Sequence, residues 1–241
     1  MIDTNTNSCP QCKAKLSEPF FSIQNCDYCQ TLLLRMNHEF STLKCKGCFA
    51  PLKVVGELSQ SEVLVCSYCN TAMDSKNEFK ALYSFSTIQK PISALEVGMK
   101  GTIDNTSYSI VSLIVYKSRG LEWLDFTLYS KTEGYAKLLK KEGKYLFFNK
   151  TFETIEQNIW LLKENNTFNM EHKLFKIEKF YFTEIYYAVG SISSKVNKNQ
   201  RSKQCFAKSG EEWFYSLYSL DNILYYLGKE LDEVEERFTF S

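Results

Sequence analysis

The sequence predicts a mainly β protein in which two small cysteine-built modules in tandem precede an antiparallel sheet or barrel-like domain with a short C-terminal helix. Three observations predict it. Eight of the nine cysteines fall in four Cys-x-x-Cys pairs, all before residue 70. Aromatics are dense, with 18 Phe and 15 Tyr, and such residues favour pleated, half-buried surfaces. Beyond residue 92, turn residues punctuate apolar runs at short intervals without sustained helical periodicity.

The pairs are Cys9 with Cys12, Cys26 with Cys29, Cys45 with Cys48, and Cys66 with Cys69. A Cys-x-x-Cys turn lets two thiolates converge on one ion while backbone amides of the turn point at the sulfurs, so two such knuckles complete a tetrahedral shell. Thirteen residues separate the first two pairs and seventeen the last two. Both gaps suit a zinc ribbon, in which each knuckle caps a short hairpin. The intervening "KLSEPFFSIQN" and "LKVVGELSQSEVLV" hold apolar runs broken by turn residues, and the second alternates as two strands around Gly56 to Gln60. "CPQCKAKL" aligns with "CKGCFAPL" and "NCDYCQTLLL" with "VCSYCNTAMD", at offsets of 36 and 40 residues. The chain therefore writes one unit twice, giving ribbons over residues 1–38 and 39–75. A cross-braced pairing of the first knuckle with the third uses the same ligands.

Four thiolates fill the shell of a zinc ion, so all eight cysteines are expected to be ligands of two structural Zn2+ ions rather than catalytic groups. Each ion would contribute about 10–16 kcal/mol to folding a segment too small to bury a core. A thioredoxin-like redox role suits a lone Cys-x-x-Cys in a βαβ setting and not four matched copies. His38, in "RMNHEF", is expected to be a solvent-facing linker residue. Cys205, the unpaired ninth, is expected to be an inert thiol on a strand.

No stretch approaches the roughly 20 apolar residues of a membrane span. The N-terminus lacks the basic and apolar regions of a signal peptide, which predicts a cytoplasmic protein and, in a reducing compartment, metal thiolates rather than disulfides. Net charge is +1, with nine basic and eight acidic side chains in residues 1–91 and twenty of each beyond. Two thiolate-bound zinc ions would take it to about −3, which opposes the long-range field of a nucleic-acid binder. The chain holds only Arg35, Arg119, Arg201 and Arg237 as arginines. A nucleic-acid reading of the ribbons would draw on "LLKKEGKYLFFNK", where Lys137 just upstream makes five lysines among aromatics.

Two histidines, no Gly-rich phosphate loop and no nucleophile beside a base leave little catalytic equipment, so no catalytic residue and no cofactor beyond zinc are expected. An enzyme would have to use Glu122, Trp123 and Asp125 of "EWLDF". On a regular strand Glu122 and Asp125 face opposite sides.

Residues 76–91 read as a linker ending at Pro91, and residues 92–241 as the β-rich domain. Tyr108 to Tyr116 and Glu122 to Tyr129 are apolar on both alternating faces, as barrel strands are. Turn signals are Gly101, Asp104 with Asn105, Gly120, Gly134 and Gly143. A second set of strands spans "HKLFKIEKFYFTEIYYAVGSI" and "KQCFAKSGEEWFYSLYSLDNILYYLGKEL", and the polar "SSKVNKNQRSK" between them reads as an exposed mobile loop. In "LDEVEERF", Asp232 with Glu235 three residues on predicts an N-capped terminal helix.

Leu95, Gly98, Gly101 and Tyr108, then "EWLDFTL", "GYAKLL", "GKYLFF" and "ILYYLGKELDEVEERF", make residues 92–241 resemble the bacterial family known as domain of unknown function 4178. Members of that family often carry knuckle pairs ahead of the domain, as this chain does. The chain departs from the family pattern at Asp125, where Glu is usual, at Leu138 and Leu139, where Trp-Leu is usual, and at "VGSISSKV". The family has no established catalytic activity, and the resemblance implies membrane stress or an accessory role. Together with the closed metal sites it predicts a non-catalytic module that binds a protein partner.

Overall fold

The computed structural model describes residues 7–36, 39–85, 87–219 and 222–240; His38 lies outside the described residues. The chain forms two compact units, Met1–Gln89 with Ala188–Val196, and Lys90–Tyr187 with Asn197–Ser241.

In the first unit all four knuckles close in the same way. The amide of the leading cysteine donates to the carbonyl five residues on: Cys9 to Ala14 at 2.8 Å, Cys26 to Thr31 at 2.9 Å, Cys45 to Ala50 at 2.9 Å and Cys66 to Thr71 at 3.0 Å. The residue after the second cysteine donates back to the leading one, at 2.9 Å for Lys13 and Asn70, 2.8 Å for Gln30 and 3.0 Å for Phe49. That return demands a left-handed backbone, and Lys13, Gln30, Phe49 and Asn70 have φ of 63°, 59°, 60° and 55°.

Strands β1 (Ile23–Asn25), β2 (Leu32–Met36) and β3 (Glu39–Thr42) form an antiparallel three-stranded sheet in that order. Strands β4 (Val63–Val65), β5 (Thr71–Asp74) and β6 (Lys80–Ser84) follow in the second module. Of the hairpin predicted around Gly56, only the leg after it becomes a strand, β4. The leg before it makes isolated bridges, Pro51 with Lys44 and Lys53 with Thr31, and Leu58–Gln60 is a 3-10 turn. The reason is that the early leg is used to join the two modules. Leu52 accepts from the Leu32 amide at 2.8 Å, the Val54 amide donates to Gln30 at 2.9 Å, and Leu52 and Val54 are buried.

Gly190–Ile192 pairs antiparallel with β4 and completes the sheet of this unit. The polar segment after it is not wholly exposed. Its one apolar residue, Val196, is buried and its carbonyl accepts from the Tyr83 hydroxyl, while Arg201 already begins a strand.

The second unit contains β7 (Lys100–Ile103), β8 (Thr106–Ser118), β9 (Leu121–Ser130), β10 (Gly134–Lys141), β11 (Lys144–Phe152), β12 (Thr167–Met170), β13 (Lys173–Ile192, to Tyr187 in this unit), β14 (Arg201–Ser209), β15 (Glu212–Tyr218), β16 (Ile223–Leu231) and β17 (Phe238–Thr239). Eight of them close an antiparallel barrel in the order β8-β9-β10-β11-β16-β15-β14-β13, with β13 pairing back to β8. The inner face is identified by contacts across the lumen. The Trp123 indole on β9 donates to Gln204 Oε1 on β14 at 3.2 Å, although these strands are not neighbours in the wall. Trp123, Asp125 and Thr127 thus point inward, and by alternation Leu124, Phe126 and Leu128 point outward; all six are buried. Outside another part of the wall, Ile159, Phe168, Phe175 and Phe214 belong to an apolar cluster. Burial on both sides of the wall is the physical content of the two-faced apolar pattern.

The turns use sequence chemistry suited to two-residue hairpins. Asp104 with Asn105, Arg119 with Gly120, and Glu142 with Gly143 all have positive φ. Gly101 is no turn residue but lies within β7, where a Cβ would come within 2.5 Å of the Arg237 carbonyl and 2.6 Å of the Phe238 ring. It is glycine because another strand passes there. At the C-terminus the predicted short helix is a 3-10 turn over Glu235–Arg237, with Val234 at the N-cap and no side-chain cap. Asp232 does not cap it, and the Glu235 carboxylate is taken by Lys140 Nζ at 2.5 Å and the Tyr145 hydroxyl at 2.6 Å.

Candidate metal centres

Cys9, Cys12, Cys26 and Cys29 form one cluster and Cys45, Cys48, Cys66 and Cys69 a second, in each of which all four Sγ atoms lie within 4.8 Å of one another. The knuckles therefore pair in sequence order, and the cross-braced arrangement is not adopted. In the first cluster Cys9 and Cys29 are 3.8 Å apart and Cys12 and Cys26 3.7 Å; in the second, Cys45 and Cys69 are 3.6 Å apart and Cys48 and Cys66 3.8 Å. Sulfurs at the corners of a tetrahedron around an ion with metal–sulfur bonds of about 2.3 Å are about 3.8 Å apart. The two separations given in each cluster match that value and all four sulfurs lie within 4.8 Å, so each group could hold a metal ion.

The surroundings favour thiolate where the repeat is strictest. The Thr31 hydroxyl is 3.2 Å from Cys29 Sγ, and Thr71 stands at the same 3.2 Å from Cys69 Sγ. Burial acts to raise both thiols, but hydrogen bonds from the hydroxyl and amide of the threonine, and from neighbouring cysteines, outweigh it and hold both at about 7. Burial pushes Cys26 and Cys66 up to about 12 against the amides that donate to them. Within each cluster one thiol is thus held below its ordinary value and another above it. Thr31 and Thr71 were not singled out from the sequence. Their signal was present in it, since "CQT" and "CNT" share the threonine two residues after the last ligand.

The other candidate residues are scattered. Asp125 is buried inside the barrel, paired with Lys137 Nζ at 3.0 Å, and Lys137 also donates to Thr127 at 3.1 Å. Trp123 is a core residue held by Gln204 and packed edge-on against Tyr181 at 5.1 Å between ring centroids. Glu122 is exposed and pairs with Lys117 at 3.2 Å, so the structure does not bring it to Asp125. Cys205 is buried on β14, and burial pushes its thiol up to about 12 despite Lys203. Four of the five lysines proposed for nucleic-acid contact are committed elsewhere: Lys137 to Asp125, Lys140 to Glu235, Lys141 to Glu142 and Lys144 to Glu230. Among the described residues no helix is long and apolar enough to cross a membrane. No family model matches the chain, nor does any curated protein or solved structure.

Proposed function

We propose that each cluster holds one zinc ion as a structural centre and that the chain is a non-catalytic accessory module that docks on a protein partner. The closed donor set carries this reading. Zinc accepts thiolates readily, and four sulfurs at tetrahedral separation leave no coordination position for water or substrate.

Support for a protein partner comes from the knuckle tips. Tyr28, Phe49 and Tyr68 are 79%, 72% and 63% exposed, and Tyr28 and Tyr68 occupy the same place in the two copies, just before the closing cysteine. Aromatics presented on rigid turns are typical interface anchors, because little side-chain freedom is lost when they are covered. The resemblance to domain of unknown function 4178 adds an accessory role in a membrane-stress system, exercised in the cytoplasm. Native mass spectrometry of protein purified without added metal is expected to find two zinc ions per chain. Affinity capture is expected to recover one reproducible protein, lost on chelation and weakened at least tenfold by Tyr28→Ala with Tyr68→Ala, as removal of interface anchors does. A partner indifferent to both treatments, or a metal count other than two, defeats the reading.

A further inference from the structure

The barrel unit carries a groove that none of the sequence candidates marked. Its volume is about 830 Å³ and it is lined by Lys117 and Arg119 of the β8–β9 hairpin, Phe182 of β13, Arg201 and Lys203 of β14, and Tyr218 of β15. Glu184 is the one carboxylate on its wall. Four cations against one acid give a local charge of +3 in a chain whose total is +1. Two of the four arginines of the protein are here. Among the described residues Arg119, Arg201 and Lys203 make no ion pair, while Lys117 pairs with Glu122.

Aromatic faces interleave with these cations. Lys203 Nζ lies 4.5 Å from the ring centre of Phe180, 5.3 Å from Trp160 and 5.7 Å from Phe182. Phe182 is 70% and Tyr218 48% exposed. Trp160 is 5.5 Å from Tyr218. A second recess of about 510 Å³ shares Lys203 and Tyr218 and continues past Trp160 to Ile223. Rings and cations therefore share the groove, and the recess beside it continues the rings with Trp160 and Tyr225, with Glu156 as its one carboxylate.

We infer that this groove binds single-stranded nucleic acid, with bases stacking on Phe182 and Tyr218 and phosphates meeting Arg119, Arg201 and Lys203. The occupant follows from what the groove offers. Guanidinium groups with open donors select phosphate or carboxylate oxygens, and exposed rings select planar faces; a single strand supplies both at every step. A duplex hides its base faces, an acidic peptide has charges without a ring at each, and a bilayer surface cannot enter a concave path. The small overall charge confines the attraction to short range, without long-range steering.

The test uses the zinc-loaded full chain and fluorescence anisotropy with a labelled oligothymidylate of roughly 10 nucleotides, within the usual site size of such grooves. Binding is expected, with log affinity falling against log salt at a slope of about −2 to −3, the value for three or four phosphates on a single strand. Arg201→Ala is expected to reduce that slope by about 0.7. Phe182→Ala and Tyr218→Ala are each expected to weaken binding about 5- to 160-fold with the slope unchanged, the scale of one lost base stack. All three side chains reach solvent, and Leu174→Ala, exposed on β13 outside the groove, serves as the control that leaves binding unchanged. Equal affinity for a duplex, binding only to phosphatidylserine vesicles, no binding at low salt, or indifference to the groove variants overturns the inference. Loss of binding on Tyr28→Ala with Tyr68→Ala also overturns it, because that places the contact on the ribbons; failure of the protein-partner reading alone leaves it standing.

Discussion

Cys26 and Cys66 hold the same place in the two metal modules, yet they are buried in different company. Around Cys26 the buried set is Cys9, Leu16 and Leu33, with Phe20 and Phe40 partly covering it. Around Cys66 it is Leu32, Cys45, Leu52, Val54, Leu64, Met73 and Phe79. The strands differ likewise. β1, β2 and β3 form a separate three-stranded sheet, joined to the second module where the Leu32 amide donates to Leu52, whereas β4 is fully buried and pairs on both sides, with β5 and with Gly190–Ile192. Knuckle hydrogen bonds, sulfur separations and threonine contacts are otherwise matched. The geometry of the thiol clusters is therefore local and repeats with the sequence, and on the proposed zinc reading dependence on the ion follows the apolar surface that each copy buries.

Chelation gives the largest test of that contrast. A structural zinc ion contributes about 10–16 kcal/mol in small metal-folded domains, and the cluster around Cys26 is the smaller of the two. With zinc removed, hydrogen exchange is expected to show residues 7–36 losing protection, while β4 and β5 keep most of theirs. Equal loss in both modules, or loss in the second first, would break the proposed division between metal and core.

Acid gives the next test. The thiols of Cys29 and Cys69 are held at about 7, below their ordinary 9.0, so the stability they contribute is full above pH 9 and is lost as pH falls through 7. Cys26 and Cys66, raised to about 12, act the other way: their contribution to the metal-free fold is full below pH 9 and is lost as pH rises through 12. Because zinc requires all four as thiolates, protons displace it on acidification. Four thiolates at each centre predict equal steepness, and the smaller buried core predicts that the first empties at the higher pH. Native mass spectrometry on lowering pH should pass through a one-zinc species whose alkylated cysteines are Cys9, Cys12, Cys26 and Cys29. Unequal steepness would place the difference in the thiols instead.

Thr31→Val and Thr71→Val probe the matched part directly. Both threonines accompany the last ligand, and removing an outer-shell partner of a metal ligand typically costs about 10- to 100-fold in affinity. Chelator competition should find equal losses at the two centres. A loss confined to one would show that the hydroxyls are not equivalent.

The same division explains what the sequence disclosed. The grouping of the cysteines in fours, sequential knuckle repetition and the two-faced barrel strands were legible because each is a short-range pattern: Cys-x-x-Cys spacing, alternation along β8 and β9, and the Asp104-Asn105 turn. The misreadings involve residues whose role depends on a distant segment. Gly101 looks like a turn until Phe238 is placed beside it, Glu235 looks like a capping residue until Lys140 and Tyr145 claim it, and Val196 is lost in a polar run until Tyr83 reaches its carbonyl. The groove was illegible for the same reason, since Arg119, Phe182, Arg201 and Tyr218 converge from four strands or turns.

The smallest test concerns the left-handed residues. An L-residue in that conformation costs roughly 1–2 kcal/mol, and glycine removes the cost but gives back about 0.5–1 kcal/mol in chain entropy. Lys13 and Phe49 are the equivalent positions in the first knuckle of each module, with φ of 63° and 60°, and both side chains are exposed. Lys13→Gly and Phe49→Gly should therefore each strengthen zinc retention by about 0.5–1 kcal/mol, or two- to fivefold in chelator competition. The gains should be equal although the modules differ in their dependence on metal, because a knuckle's strain is relieved within the knuckle. A gain at Phe49 alone would mean that the packed core of the second module forces its backbone harder, and that the coordination turn is not independent of what lies behind it.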